Sequence, residues 1–162
     1  MKKVNPHPQV LMWTDGASKG NPGAGGWAAV LTYQNSATVV AGYEPYTTNN
    51  RMELMAVIHG LAALKRPCDV IVFSDSNYVV NTGKKIMRGG MPKSHVDAWL
   101  RLKALFKQHR VTFEKTEGHA DDILNNVADW YAGCCAVRRV SVQERYEDLN
   151  QMMEKAGYGR GS

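Results

Sequence analysis

The sequence predicts an α/β fold, a five-stranded mixed sheet flanked by helices on both faces. Three observations predict it. Apolar runs of strand length at 9–15 and 69–75 each end in an aspartate. Two further β-rich segments follow the first run, and Asn35-Ser36 between them is a hairpin signal, so the first three strands should be antiparallel. Segments with apolar residues at helical spacing precede the later strands, which calls for parallel crossovers. The expected order is β-β-β-α-β-α-α-β-α.

Residues 1–8 read as a proline-containing lead-in, and 9–15 as a buried strand. The segment 16–26 is dense in glycine and holds Asn21-Pro22, so it reads as a turn-rich loop. Strands at 27–33 and 38–43 come next. Thr47-Thr48-Asn49-Asn50 supplies N-cap residues for a helix over 51–65, where Leu54, Val57, Ile58, Leu61 and Leu64 share one face and Pro67 stops the pattern. After the strand at 69–75, a short helix starts near Ser76 and fails near Gly83. The stretch 84–93, with Lys84, Lys85, Arg88 and Lys93, reads as a flexible basic loop. Ser94 should cap the next helix, with Asp97 in its first turn and Val96, Trp99, Leu100, Leu102, Leu105 and Phe106 on its apolar side. A strand at 111–116, a loop at 118–122 and a helix from 123 to about 140 follow. Beyond it, Val142, Tyr146, Leu149 and Met153 are spaced along one side of an amphipathic helix that leads to a mobile, glycine-rich end.

A length of 162 residues, without an internal repeat or separating linker, predicts one domain over 1–162 with its core at about 9–140. Apolar content of 44% and charged content of 22% are those of an ordinary globular chain. The formal charge of +5 and pI of about 9.2 suit an acidic partner such as nucleic acid. Three cysteines, Cys68 and the adjacent Cys134 and Cys135, make no disulfide framework and no zinc pattern, which favours a reducing compartment. No apolar stretch suits a signal peptide or a membrane span, so the expected location is cytoplasmic, with no membrane partner.

Against that basic background four acids stand out. Asp15 and Asp75 end strands, where sites gather in open sheets of this kind. Glu53 lies one turn into the first long helix, and Asp129 lies mid-helix near the end of the chain. Acids brought together repel unless cations hold them, and oxygen-only ligands favour Mg²⁺ or Mn²⁺. Taken singly, each has a plainer reading: a strand-end Asp as a turn residue, a first-turn Glu as a helix-dipole partner. Their joint occurrence shifts the balance.

The surrounding motifs carry a closer match. Thr14-Asp15-Gly16-Ala17-Ser18 with Gly20-Asn21-Pro22-Gly23, Thr47-Thr48-Asn49-Asn50-Arg51-Met52-Glu53-Leu54, Ser74-Asp75-Ser76, Gly118-His119-Ala120 and Asn125-Asn126-Val127-Ala128-Asp129 together resemble type 1 ribonuclease H. The resemblance implies a ribonuclease H-like fold and an endoribonuclease that hydrolyses the RNA strand of an RNA–DNA hybrid, leaving 5′-phosphate and 3′-hydroxyl ends. It implies two Mg²⁺ ions with substrate, Mn²⁺ being a substitute, bridged by Asp15. Asp129 would be on the ion that activates water, and Glu53 and Asp75 on the other. It makes His119 a mobile proton carrier or an aid to product release. It sets Ser18, Asn21, Thr48, Asn49, Asn50 and Asn77 along the hybrid groove and Lys84, Lys85 and Arg88 on phosphates, in a protein expected to act as a monomer. The basic segment 77–93 is short for the family's protrusion and lacks its Trp, and His95 replaces a common Asn. Weaker or more salt-sensitive hybrid binding is therefore expected. The competing readings are another nuclease of the same superfold and a hybrid-binding module without chemistry. The Thr47–Glu53 segment and the Gly20–Gly23 loop weigh against the first, and the intact set of four acids against the second.

Overall fold

A computed structural model describes residues 7–116 and 122–158. Among these residues eleven elements follow one another: β1 (Gln9–Lys19), β2 (Gly23–Tyr33), β3 (Ser36–Thr47), α1 (Asn49–Ala62), β4 (Asp69–Ser74), α2 (Asn77–Met87), α3 (Val96–Gln108), β5 (Arg110–Lys115), α4 (Ile123–Arg138), β6 (Val142–Tyr146) and α5 (Leu149–Lys155). The strands form one mixed sheet in the order β5-β4-β1-β2-β3-β6. The β1–β2, β2–β3 and β3–β6 pairs are antiparallel, and β1–β4 and β4–β5 are parallel.

The sheet divides the apolar residues into two cores. On one face Met12, Trp27, Ala29, Leu31, Val70 and Val72 pack beneath α1, α2 and α3. On the other, Ala28, Val30, Val39 and Ala41 pack beneath α4 and α5. The alternation along β2 sends successive residues to opposite faces, as a strand must. Helix α1 is buried on nearly every side, from Met52 through Ile58 and on to Leu61, because it lies between the sheet and α3. The single apolar stripe read from its sequence understates that burial.

Four expectations need correction. The sheet has six strands rather than five: 142–146, read as the start of a helix, is β6, which pairs with the open edge of β3 from Ala37↔Tyr146 to Ala41↔Val142. A short helix, α5, follows it. The segment 16–26 is mostly strand, with β1 running to Lys19 and β2 starting at Gly23 so that only three residues make the turn. Helix α2 runs past Gly83 to Met87, placing Lys84 and Lys85 in its last turn instead of in a loop. Ser94 does not cap α3. His95 holds that position with φ 51° and no side-chain cap, while the Ser94 hydroxyl lies 2.9 Å from the Tyr78 hydroxyl.

The helix starts beside the acids follow the sequence more closely. Thr48 Oγ1 accepts from Arg51 N at 3.3 Å and caps α1, and Ser76 Oγ accepts from Val79 N at 3.2 Å and caps α2. Cys68, Cys134 and Cys135 are all free thiols. No helix among the described residues is long and apolar enough to cross a membrane.

Candidate metal centre

The parallel pairing of β1 with β4 ends at Trp13↔Phe73. Asp15 and Asp75 each lie two residues beyond that pair, so neighbouring strands deliver both to the same level of the sheet. β1 continues past the site on its antiparallel side, where Asp15 pairs with Ala28. Asp15 is therefore a mid-strand residue at the end of the parallel ladder.

Two glycines let helices close on this point from opposite faces. A Cβ on Gly16 would lie 2.4 Å from the carbonyl carbon of Met52 and 2.5 Å from Glu53 N, which are backbone atoms that cannot step aside. The missing side chain brings the start of α1 against β1, and Gly16 N donates to Glu53 Oε1 at 3.2 Å. A Cβ on Gly26 would lie 2.0 Å from Ala132 O, so the same device seats α4 on β2. Asp129, three residues before Ala132, then stands close enough to Asp15 to help raise its carboxyl.

Carboxylate oxygens of Asp15, Glu53 and Asp75 all lie within 4.8 Å of one another. Asp15 and Glu53 are each only 7% exposed, Asp75 is half-buried and Asp129 is exposed. Burial first, then the hydrogen bond with Asp129 and the charges of Asp75 and Asp129, push the Asp15 carboxyl up to about 8. Burial, followed by the charges of Asp15 and Asp75, holds Glu53 well above the usual carboxylate range. Glu53 Oε2 is buried and has no hydrogen-bond partner among the described residues. An acid kept from water, close to other acids and with a free lone pair facing no donor is in an unfavourable state by itself. A divalent cation reverses each of those terms, and an all-oxygen donor set is the one that hard cations take. The residues present fit such an ion.

The flank beyond Glu53 is a cluster of short polar side chains. Asn49 Oδ1 accepts from Ser18 N at 2.8 Å and lies 3.0 Å from Ser18 Oγ, while Asn21 Oδ1 accepts from Asn49 N at 3.0 Å. Ser18, Asn21, Thr48 and Asn49 are thus brought together by the β1–β2 turn and the cap of α1. Asn50 is exposed in the first turn of α1, and Asn77 is exposed at the start of α2, two residues from Asp75. Lys84, Lys85 and Arg88 are exposed at the far end of α2. His119 lies outside the described residues. Sequence reasoning passed over the steric roles of Gly16 and Gly26. The available signal was a glycine directly after the strand-end Asp15 and a Gly25-Gly26 pair opening the next strand.

Residues 7–136 match the family model described as RNase H. The ribonuclease H of Prosthecochloris aestuarii is 46% identical over 135 residues, which is 76% of this chain and 92% of that protein. Among solved structures, LC9-RNase H1, a type 1 RNase H with the type 2 active-site motif, aligns with TM-score 0.76 at 24% identity over 94% of this chain and 82% of its own. LC11-RNase H1, solved in complex with an RNA/DNA hybrid, aligns with TM-score 0.65 at 20% identity over 80% of this chain and 97% of its own.

Proposed function

The chain belongs to the ribonuclease H family, and from that membership and its acid site we propose that it cuts the RNA strand of RNA–DNA hybrids at Asp15, Glu53, Asp75 and Asp129. The observation that carries this reading is the meeting of three carboxylates within 4.8 Å, with the buried Glu53 Oε2 lacking a hydrogen-bond partner among the described residues. The hybrid complex of LC11-RNase H1 supports the choice of substrate.

Asp15, between the other acids, would hold two Mg²⁺ ions in common, with Mn²⁺ as a substitute. Asp129 would be on one ion, and Glu53 and Asp75 on the other. When bound, such ions make a hydroxide available near neutral pH and neutralise charge on a leaving oxygen. The products carry 5′-phosphate and 3′-hydroxyl ends. The protein's own part is to fix four carboxylates and keep the bed of the site dry around Asp15 and Glu53. His119 is the proton carrier in this reading.

The polar cluster beside Glu53 is suited to recognising RNA. A 2′-hydroxyl both donates and accepts, so it is read by groups that do the same. Ser18, Asn21, Asn49 and Asn77 supply them, with Asn50 at a base edge and Thr48 at a phosphate of the DNA strand. Lys84, Lys85 and Arg88 add phosphate contacts from α2. The protein works as a monomer in the cytoplasm.

The test is cleavage of labelled RNA–DNA hybrid, double-stranded RNA and single-stranded DNA, each with Mg²⁺ and with chelator. Cutting of the hybrid alone, abolished by chelator, is expected. Equal cutting of all three would overturn the substrate assignment. His119→Ala should slow turnover less than Asp15→Asn and leave hybrid affinity unchanged. An equal loss of affinity would move His119 into the binding surface.

A further inference from the structure

Lys115 ends β5 and pairs with Ser74 in the parallel β4–β5 register, one residue before Asp75. The carboxyl edge of the sheet therefore carries acid, acid and base on the successive strands β1, β4 and β5. Adjacent strands lie roughly 5 Å apart, so the Lys115 backbone stands about one strand spacing from the end of β4, within reach of its long side chain. Lys115 Nζ donates to the backbone carbonyl of Asp75. That contact aims the side chain along the sheet edge towards the site.

The turn at Asp75 is already held by other bonds. Ser74 O accepts from Thr116 N at 2.9 Å, and Ser74 Oγ accepts from Ser76 N at 3.1 Å. An ammonium group has three donors, and the Asp75 carbonyl takes one. Lys115 is exposed and makes no ion pair with a carboxylate among the described residues. A cation held beside a row of acids lowers the local repulsion that a polyanion meets on arrival.

We infer that Lys115 is a substrate-binding residue whose ammonium takes a backbone phosphate of the RNA strand next to the cleaved one, on the β5 side of Asp75. The inference rests on the hybrid-hydrolase reading of the acid site. Lys115 contributes to affinity and register rather than to the chemical step, since phosphate contacts position a nucleic acid without reading its sequence.

The test is hybrid affinity, read by fluorescence anisotropy with Mg²⁺ in the non-cleaving Asp15→Asn protein, between about 50 and about 200 mM salt. Lys115→Gln should weaken binding several-fold at the low end. It should also reduce the slope of log affinity against log salt by about 0.9, the loss of one phosphate contact. Lys115→Arg should restore the slope. Lys65→Gln makes the same change of charge beyond the end of α1 remote from Glu53 and should leave the slope as it was. A Lys115→Gln protein with unchanged slope but slower turnover, measured with Asp15 intact, would overturn the inference and reduce Lys115 to a pin for the Asp75 turn. Parent protein that cuts no hybrid would overturn both this inference and the reading beneath it. A parent that cuts, with an unchanged slope in the variant, would sink Lys115 alone.

Discussion

Helices α1 and α4 bring an acid to Asp15 from opposite faces of the sheet, and they do so differently. On the α1 side Glu53 is almost enclosed. Its helix is packed on nearly every side, its Oε1 accepts from Gly16 N, and its Oε2 has no hydrogen-bond partner among the described residues. On the α4 side Asp129 is exposed, and it meets the site through its closeness to Asp15. Helix α4 is held from behind by the C-terminal segment. Tyr131 OH donates to Glu144 Oε1 at 2.9 Å and lies 3.1 Å from Tyr146 OH, and Glu144 pairs with Lys155. One acid is enclosed by the core, and the other stands exposed on a helix that packs on the sheet and is tied to β6 through Tyr131. The buried side creates the demand for a cation. The exposed side leaves a carboxylate open to water.

Removing the residue common to both sides should have the largest effect. Asp15→Asn is expected to cut hydrolysis by about a thousandfold or more in a steady-state assay, with circular dichroism unchanged. Near-normal turnover would mean that neither helix is serving a shared site. The same variant should raise the melting temperature of the metal-free protein at pH 8 by relieving repulsion among the acids.

Acidity probes the buried side directly. Asp15 and Glu53 are both held above their unfolded values. The stability they lend to metal-free protein is therefore complete below about pH 4 and lost as the pH rises, through about 8 for Asp15. Thermal melts in chelator should fall across that window. Saturating Mg²⁺ should flatten the fall, and so should Asp15→Asn in part. Melts that rise with pH in chelator would show that these acids are not strained by burial.

The glycines separate the two sides. Gly16→Ala and Gly26→Ala each force a methyl group onto backbone, and each should destabilise by about 1–3 kcal/mol in urea unfolding. Gly16→Ala moves a helix with no room to adjust and should also cost most of the activity. Gly26→Ala moves a helix whose acid is exposed, so activity should recover further with added Mg²⁺. Equal and irreversible loss in both would remove the distinction between a rigid and an adjustable ligand. Smallest of all, Tyr131→Phe removes the hydroxyl that ties α4 to β6. It should reduce stability by about 1–2 kcal/mol, with only a modest rise in the Mg²⁺ needed for half-maximal rate.

How much of this was legible in the chain depended on how local the cause was. Thr48 and Ser76 announce their helices because a cap is a property of one side chain and the next three residues. The level match of Asp15 and Asp75 was half visible. Each ends an apolar run, but the register that aligns them belongs to the pairing of two distant strands. The 142–146 segment was misread because Val142, Tyr146, Leu149 and Met153 repeat at helical intervals while Val142, Glu144 and Tyr146 also alternate at strand intervals. The unpaired edge of β3 decides between the two, and no local propensity reports it. The glycines at 16–26 were read as a loop for the same reason. Glycine weakens a strand by itself, yet here the ladder supplies the backbone bonds and the missing side chains admit two helices.

By itself the sequence determined which residue types could do this chemistry, the alternation of strands and helices that carries them, and the basic charge that suits a polyanion. Tertiary structure alone decided the depth of Glu53, the exposure of Asp129, the sixth strand and the place of Lys115 beside Asp75. The reason is physical. Caps and apolar periods act over a few residues, whereas burial, strand register and the distance between charges are set by segments that meet only when the whole sheet has formed.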